Sequence, residues 1–179
     1  MQKSVLSVCK QLIAGCFFTA FSMSALASDN SISTSITEMD LSSLSQEAHD
    51  QGKRLMLIYT EKSCDNCSQF TEQLAKSEKM RDFYQDKFQV YETYASQQFN
   101  VTCPAGEELS EAEFVAMKGI ISTPAYVFFD TEGNVIHVQN GSPEKQDFVA
   151  LGEFILGDHY LDYASVAEWK KTLQLSVKQ

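Results

Sequence analysis

Apolar residues recur along this chain with two periods, and the switch between them outlines the elements. Over 40–51, Leu41, Leu44 and Ala48 share a helical face and Gly52 supplies a stop. The stretch RLMLIYT at 54–60 is almost free of polar residues, the pattern of a central strand covered on both faces. After a turn, Cys67, Phe70 and Leu74 fall at i, i+3 and i+7, which predicts a second helix; Met80, Phe83, Tyr84 and Phe88 continue a helical spacing as packing residues. Residues 88–94 then alternate, Phe88, Val90, Glu92 and Tyr94 against Gln89, Tyr91 and Thr93, a second strand.

Residues 96–118 begin as a loop containing Cys103-Pro104. Ser110-Glu111-Ala112-Glu113 then has the form of a capping box, with Phe114 and Met117 on the helix it opens. The run IISTPAYVFFD at 120–130 reads as a strand that starts at a proline, and Asp130-Thr131-Glu132-Gly133-Asn134 turns it into a hairpin with Val135 to Val138. His137, in that second strand, is expected on a solvated face. Phe148, Leu151 and Ile155 mark a helix over 147–156, Gly157 interrupts, and Tyr163, Val166 and Trp169 mark another over 160–171. His49, His159 and Trp169 read as structural residues.

The first 27 residues fit none of this. Lys3 and Lys10 give a positive start, 12–23 is apolar, and Ala25-Leu26-Ala27 is a small-residue cleavage pattern, so 1–27 reads as a signal peptide with Ser28 as the mature start. Ile13-Ala14-Gly15-Cys16 also resembles a lipidation site, but the apolar run continues past Cys16 through Phe17, Phe18 and Phe21; an uncleaved membrane anchor is the other alternative. Residues 28–37, rich in Ser and Thr, read as a flexible leader, and 38–179 as one domain. The whole chain carries a formal charge of −10; without its first 27 residues it has 12 basic against 24 acidic side chains, or −12. That balance argues against nucleic acid and anionic membranes as partners.

Of the five cysteines, Cys9 and Cys16 leave with the signal, and Cys64, Cys67 and Cys103 remain. One C-x-x-C pair in an exported chain is not a disulfide scaffold. Cysteines three apart on a helical turn bring their Cβ atoms to bonding distance. At a helix start the unpaired N–H groups favour a thiolate, so Cys64 is expected to be the nucleophile and Cys67 the buried resolving thiol. Half a zinc site has the same spacing, as does a structural disulfide, but the strand before and amphipathic helix after favour redox chemistry. Thr123-Pro124 is a candidate cis peptide. Cys103 reads as a bystander thiol, since Glu107 and Glu108 would oppose its ionisation; the sharper alternative makes it a third redox participant.

A C-x-x-C at a helix start, then Thr-Pro opening a strand, then a Gly-containing hairpin, resembles the thioredoxin family. Over about Gly52 to Lys171 the order of parts is similar to the exported thioredoxins of the bacterial sulfur-oxidation (Sox) system. The resemblance implies a thioredoxin-like α/β fold, a central mixed sheet flanked by helices, with an insertion before the cis-Pro strand and an extended C-terminal helical segment. It also implies that Cys64 attacks, Cys67 resolves, and Thr123-Pro124 pairs with the substrate strand, beside the loop Asn140-Gly141-Ser142-Pro143. The chain departs from the family at the tuning dipeptide Asp65-Asn66, at Ser63 in the place of a tryptophan, and in a strand 55–59 without a buried acid. Water or Glu61 would then take the resolving thiol's proton.

These readings converge on an exported, periplasmic thiol:disulfide oxidoreductase. It would need no cofactor or metal, would act on disulfide-containing periplasmic proteins, and would draw electrons from a membrane dithiol donor, as the family implies. Asp65 beside Cys64 opposes the thiolate and leans the pair towards reduction. An oxidase or isomerase, or a thiol-based metal carrier or binding module without turnover, are the alternatives.

Overall fold

The computed structural model describes residues 34–35, 39–94 and 100–176. The expected signal peptide and most of the expected leader lie outside them, as do 95–99. In chain order the elements are β1 (Thr34–Ser35), β2 (Met39–Asp40), α1 (Leu41–Asp50), β3 (Arg54–Thr60), α2 (Asp65–Lys76), α3 (Glu78–Lys87), β4 (Phe88–Tyr94), β5 (Asn100–Thr102) and β6 (Glu108–Ser110). There follow α4 (Glu111–Met117), β7 (Ala125–Phe129), β8 (Val135–Asn140), α5 (Lys145–Leu156), a 3-10 turn at His159–Leu161, and α6 (Val166–Ser176).

Five strands form a mixed sheet in the order β1-β4-β3-β7-β8. The apolar strand β3 lies at its centre, parallel to β4 and antiparallel to β7. Because successive side chains of a strand point to opposite faces, β3 divides its residues between two cores. Leu55, Leu57 and Tyr59 join Leu41 and Ala48 of α1 and Phe114 of α4. Met56 and Ile58 join Leu74 of α2, Met80 and Tyr84 of α3, Phe148, Leu151 and Phe154 of α5, and Trp169. Each large apolar side chain removed from water in this way contributes about 1.5–3 kcal/mol. The second core is built around stacked rings, Tyr84 on Phe148 at 4.2 Å and on Phe88 at 5.1 Å, and the Tyr84 hydroxyl donates to Phe148 O at 2.7 Å.

The element ends follow local chemistry. Asp40 caps α1, its Oδ1 accepting from Ser42 N and Ser43 N, each at 3.1 Å. Ser110 and Glu113 form the reciprocal box expected at the start of α4. In the β7–β8 turn Gly133 has φ +91, and a Cβ there would meet Leu41 O at 2.6 Å, so only glycine lets the hairpin seat on α1.

Three expectations are corrected. Thr34 and Ser35, placed in the leader, pair in parallel with Tyr91 and Glu92 and form the sheet's edge. The insertion is a second small sheet, β2-β5-β6, because the β5–β6 hairpin gains a partner in β2, about sixty residues upstream and beyond what a local pattern can show. His137 is half-buried between the rings of Phe128 and Phe154, at 6.3 and 5.7 Å, since α5 covers that face of β8; burial lowers its pKa.

Candidate active site

Strand β3 ends at Thr60, and a short turn leads to α2. Cys64 N–H donates to Glu61 O at 3.0 Å, closing that turn and leaving Cys64 immediately before the first helical residue. Cys64 therefore stands where an N-cap side chain stands, and its sulfur does a cap's work: Cys67 N–H donates to Cys64 Sγ at 3.1 Å. A donor aimed at this sulfur favours its thiolate, together with the positive end of the helix dipole. Cys64 is half-buried, Cys67 only 7% exposed, and the two form a disulfide with Cα atoms 5.3 Å apart. The difference in access separates an outer, attacking sulfur from an inner, resolving one. Asp65 and Asn66 occupy the first two positions of α2.

The second part comes from the far side of β3. The Thr123–Pro124 bond is cis, and Pro124 precedes Ala125, which pairs with Tyr59 at the end of β3. The approach to this bend is clamped by β8. Asn140 Oδ1 accepts from Ile121 N at 2.9 Å, its Nδ2 donates to Gly119 O at 3.0 Å, and Gly141 N–H donates to Pro124 O at 2.8 Å. The clamp displays Ile121, 84% exposed, with Met117 of α4 also exposed nearby in the chain. Thus the fold brings Cys64, Cys67, Thr123 and Pro124 to one end of the sheet, although nearly sixty residues separate the two pairs.

In the sequence Asn140 stands only in a loop that the resemblance sets near the bend, and nothing local marks its side chain as the clamp. Two carboxylates also escaped the sequence reading. Glu111, in the first turn of α4, is 6% exposed, its Oε1 has no hydrogen-bond partner among the described residues, and burial raises its pKa to about 6. Burial holds the nearby Tyr59 hydroxyl protonated, reinforced by the charge of Glu111. Glu92 of β4 accepts from Thr60 Oγ1 at 3.1 Å. Glu61, by contrast, is exposed.

Cys103 lies at the β5–β6 turn, where its N–H donates to Glu107 O at 2.8 Å, and its half-buried free thiol packs against the first core. Among the described residues no three His, Cys, Asp or Glu side chains converge on a metal-binding arrangement, so the two dithiol cysteines and Cys103 do not form one.

A model of the thioredoxin-like domain matches residues 42–156, and the chain belongs to that family. Among solved structures, a thioredoxin-fold protein from Helicobacter pylori is 22% identical over 84% of this chain and 93% of its own, with a TM-score of 0.57. A protein from Bacteroides thetaiotaomicron proposed to be a disulphide-isomerase is 17% identical over 67% of this chain and 93% of its own, with a TM-score of 0.52. At these identities the likeness concerns the fold. No protein of curated function matches the sequence.

Proposed function

We propose that the protein is an exported thiol:disulfide oxidoreductase that reduces disulfides of periplasmic proteins. The observation that carries this reading is the asymmetry of the dithiol: a half-buried Cys64 whose sulfur accepts from a helix N–H, beside a buried Cys67 and at the same end of the sheet as a cis-proline bend. Cys64 thiolate attacks a substrate disulfide, giving a mixed disulfide and releasing the first substrate thiol. Cys67 then attacks Cys64 Sγ, closing the internal disulfide and releasing the second. The substrate strand pairs with backbone at Thr123–Pro124, with exposed Ile121 and Met117 offering apolar surface to its side chains. Export rests on the charged, apolar and Ala-x-Ala succession of 1–27. A membrane dithiol donor would return electrons, and the order of parts shared with the Sox-type exported thioredoxins makes sulfur metabolism one setting to examine.

The reduction potential of the Cys64/Cys67 pair tests this directly. Equilibration in graded dithiothreitol or glutathione buffers is expected to give a value near thioredoxin's, about −270 mV. A value near about −120 mV would make the protein a disulfide donor, and the direction assigned to Asp65 would be wrong. Absence of any reversible transition would remove the enzyme reading and leave a binding module.

A further inference from the structure

A thiol as buried as Cys67 cannot rely on bulk water to remove its proton when it attacks the mixed disulfide. The strand beneath it offers none of the usual bases, but the neighbouring strand does. Ile58 pairs with Glu92 on one side and Tyr126 on the other, so all three side chains share a sheet face. It is the face covered by α2, because Leu74 joins the core that contains Ile58 and Tyr126.

The level of Cys67 along this face follows from helix geometry. The turn after Thr60 sends α2 back over the sheet, with Leu74 packed into the Met56 and Ile58 core. Cys67 is seven residues nearer the helix start, about 10 Å along its axis, and that spans about three strand residues. It therefore stands over the end of β3, where Thr60 lies. Thr60 Oγ1 donates to Glu92 Oε1 at 3.1 Å, drawing the carboxylate towards the same end. The titratable groups that the strands set on this face beside it are Tyr126 of β7 and Tyr94 one rung on along β4; the helix spacing above brings the Cys67 thiol to the same end.

We propose that Glu92 is the base for the resolving thiol and that Thr60 is its positioning residue. The inference rests on the reading of the dithiol as a reductant. In the step, the Cys67 S–H proton passes to the Glu92 carboxylate and the freed electron pair forms the bond to Cys64 Sγ. The bond from Cys64 to substrate sulfur breaks, and the leaving substrate thiolate takes up a proton as Glu92 returns its own to solvent. The dithiol is oxidised by two electrons and the substrate disulfide reduced by two.

The test mixes the pre-reduced full chain with a cyclic disulfide peptide, quenches with acid, and locates the mixed disulfide by mass spectrometry. The parent is expected to pass to reduced peptide with little intermediate. In Glu92→Gln the Cys64-linked intermediate should accumulate at pH 7, with resolution slowed at least tenfold, and the deficit should close above about pH 9, where the thiol ionises unaided. Thr60→Val, which leaves the carboxylate in place, should show a smaller deficit of the same pH form. Attack by Cys64, measured in a Cys67→Ser background, should be unaffected by either change. Resolution in Glu92→Gln at the parent rate, or a slowing of both steps equally at all pH values, overturns the inference; if Glu92→Gln does not fold, a parent-like Thr60→Val profile overturns it. A parent that leaves the peptide oxidised refutes the reductant reading itself, and the inference with it.

Discussion

A carboxyl that ionises less readily in the folded chain than in the unfolded one makes stability depend on pH in a defined direction. Glu111 holds its proton to about pH 6, above its ordinary 4.5, because burial disfavours the charge. The folded form therefore binds the proton more tightly; its advantage is complete below about pH 4.5 and is lost as pH rises through 6. Glu111→Gln is expected to stabilise the protein by about 1 kcal/mol at pH 7.5 and to make little difference at pH 4, measured by urea unfolding. His137 works in the opposite sense. Burial lowers its pKa below the ordinary 6.5, so its neutral form supports the fold and stability falls as pH drops below that value. Proton NMR should show its ring titrating below 6.5, whereas a ring titrating at or above that value would contradict the burial against Phe128 and Phe154.

At the scale of elements, β8 is both an edge strand and the arm that fixes the active bend. Asn140 is its last residue, and its side-chain amide holds both Gly119 and Ile121 in the segment leading to Pro124. Asn140→Ala removes an acceptor and a donor at once, and each lost bond of this kind costs about 0.5–1.5 kcal/mol. The expected outcome is slower reduction of a protein disulfide by several-fold, with the potential of the Cys64/Cys67 pair unchanged, because the dithiol sits on the turn from β3 into α2 and its hydrogen bonds, among the described residues, lie within that stretch. A shifted potential with unchanged rates would show that the clamp acts on the dithiol and not on the substrate bend. Two of the helices were plain from the chain itself, α1 from the spacing of Leu41, Leu44 and Ala48 and α4 from the capping box at Ser110, whereas the cap on α1 by Asp40 came only with the structure. The small sheet was not plain, because β5 and β6 are three residues each and acquire their meaning from β2.

The whole molecule is two cores joined by one sheet. Strands β3 and β7 contribute alternate residues to both, Leu57 and Val127 to one, Ile58 and Phe128 to the other. Neither core can open without exposing strands that the other needs, so unfolding should be a single transition. The chain has one tryptophan, Trp169, packed at 4.6 Å on His159 and at 5.9 Å on Phe154 in the second core. Its fluorescence and far-ultraviolet circular dichroism are expected to change at the same urea concentration. A fluorescence change at lower urea would mean that α6 leaves the domain before the sheet melts.

The features that the sequence determined by itself are those carried by near neighbours in the chain. Apolar periodicity marks β3, α2, β4 and the β7–β8 hairpin, spacing makes Cys64 and Cys67 a pair, and the Thr-Pro step marks the bend. These depend on residues within a turn or a strand of each other, and physical chemistry at that range acts in the same way whatever the rest of the chain does. Tertiary structure alone decided which polar side chains are walled in or paired at a distance: Glu111 buried in the first turn of α4, His137 beneath α5, Asn140 against the 119–121 backbone, and Glu92 beside a threonine 32 positions away. Their environments are built from elements distant in sequence. A carboxylate, imidazole or amide reads as solvated until the fold places a wall in front of it, and only then do its proton affinity and hydrogen bonds become particular to this protein.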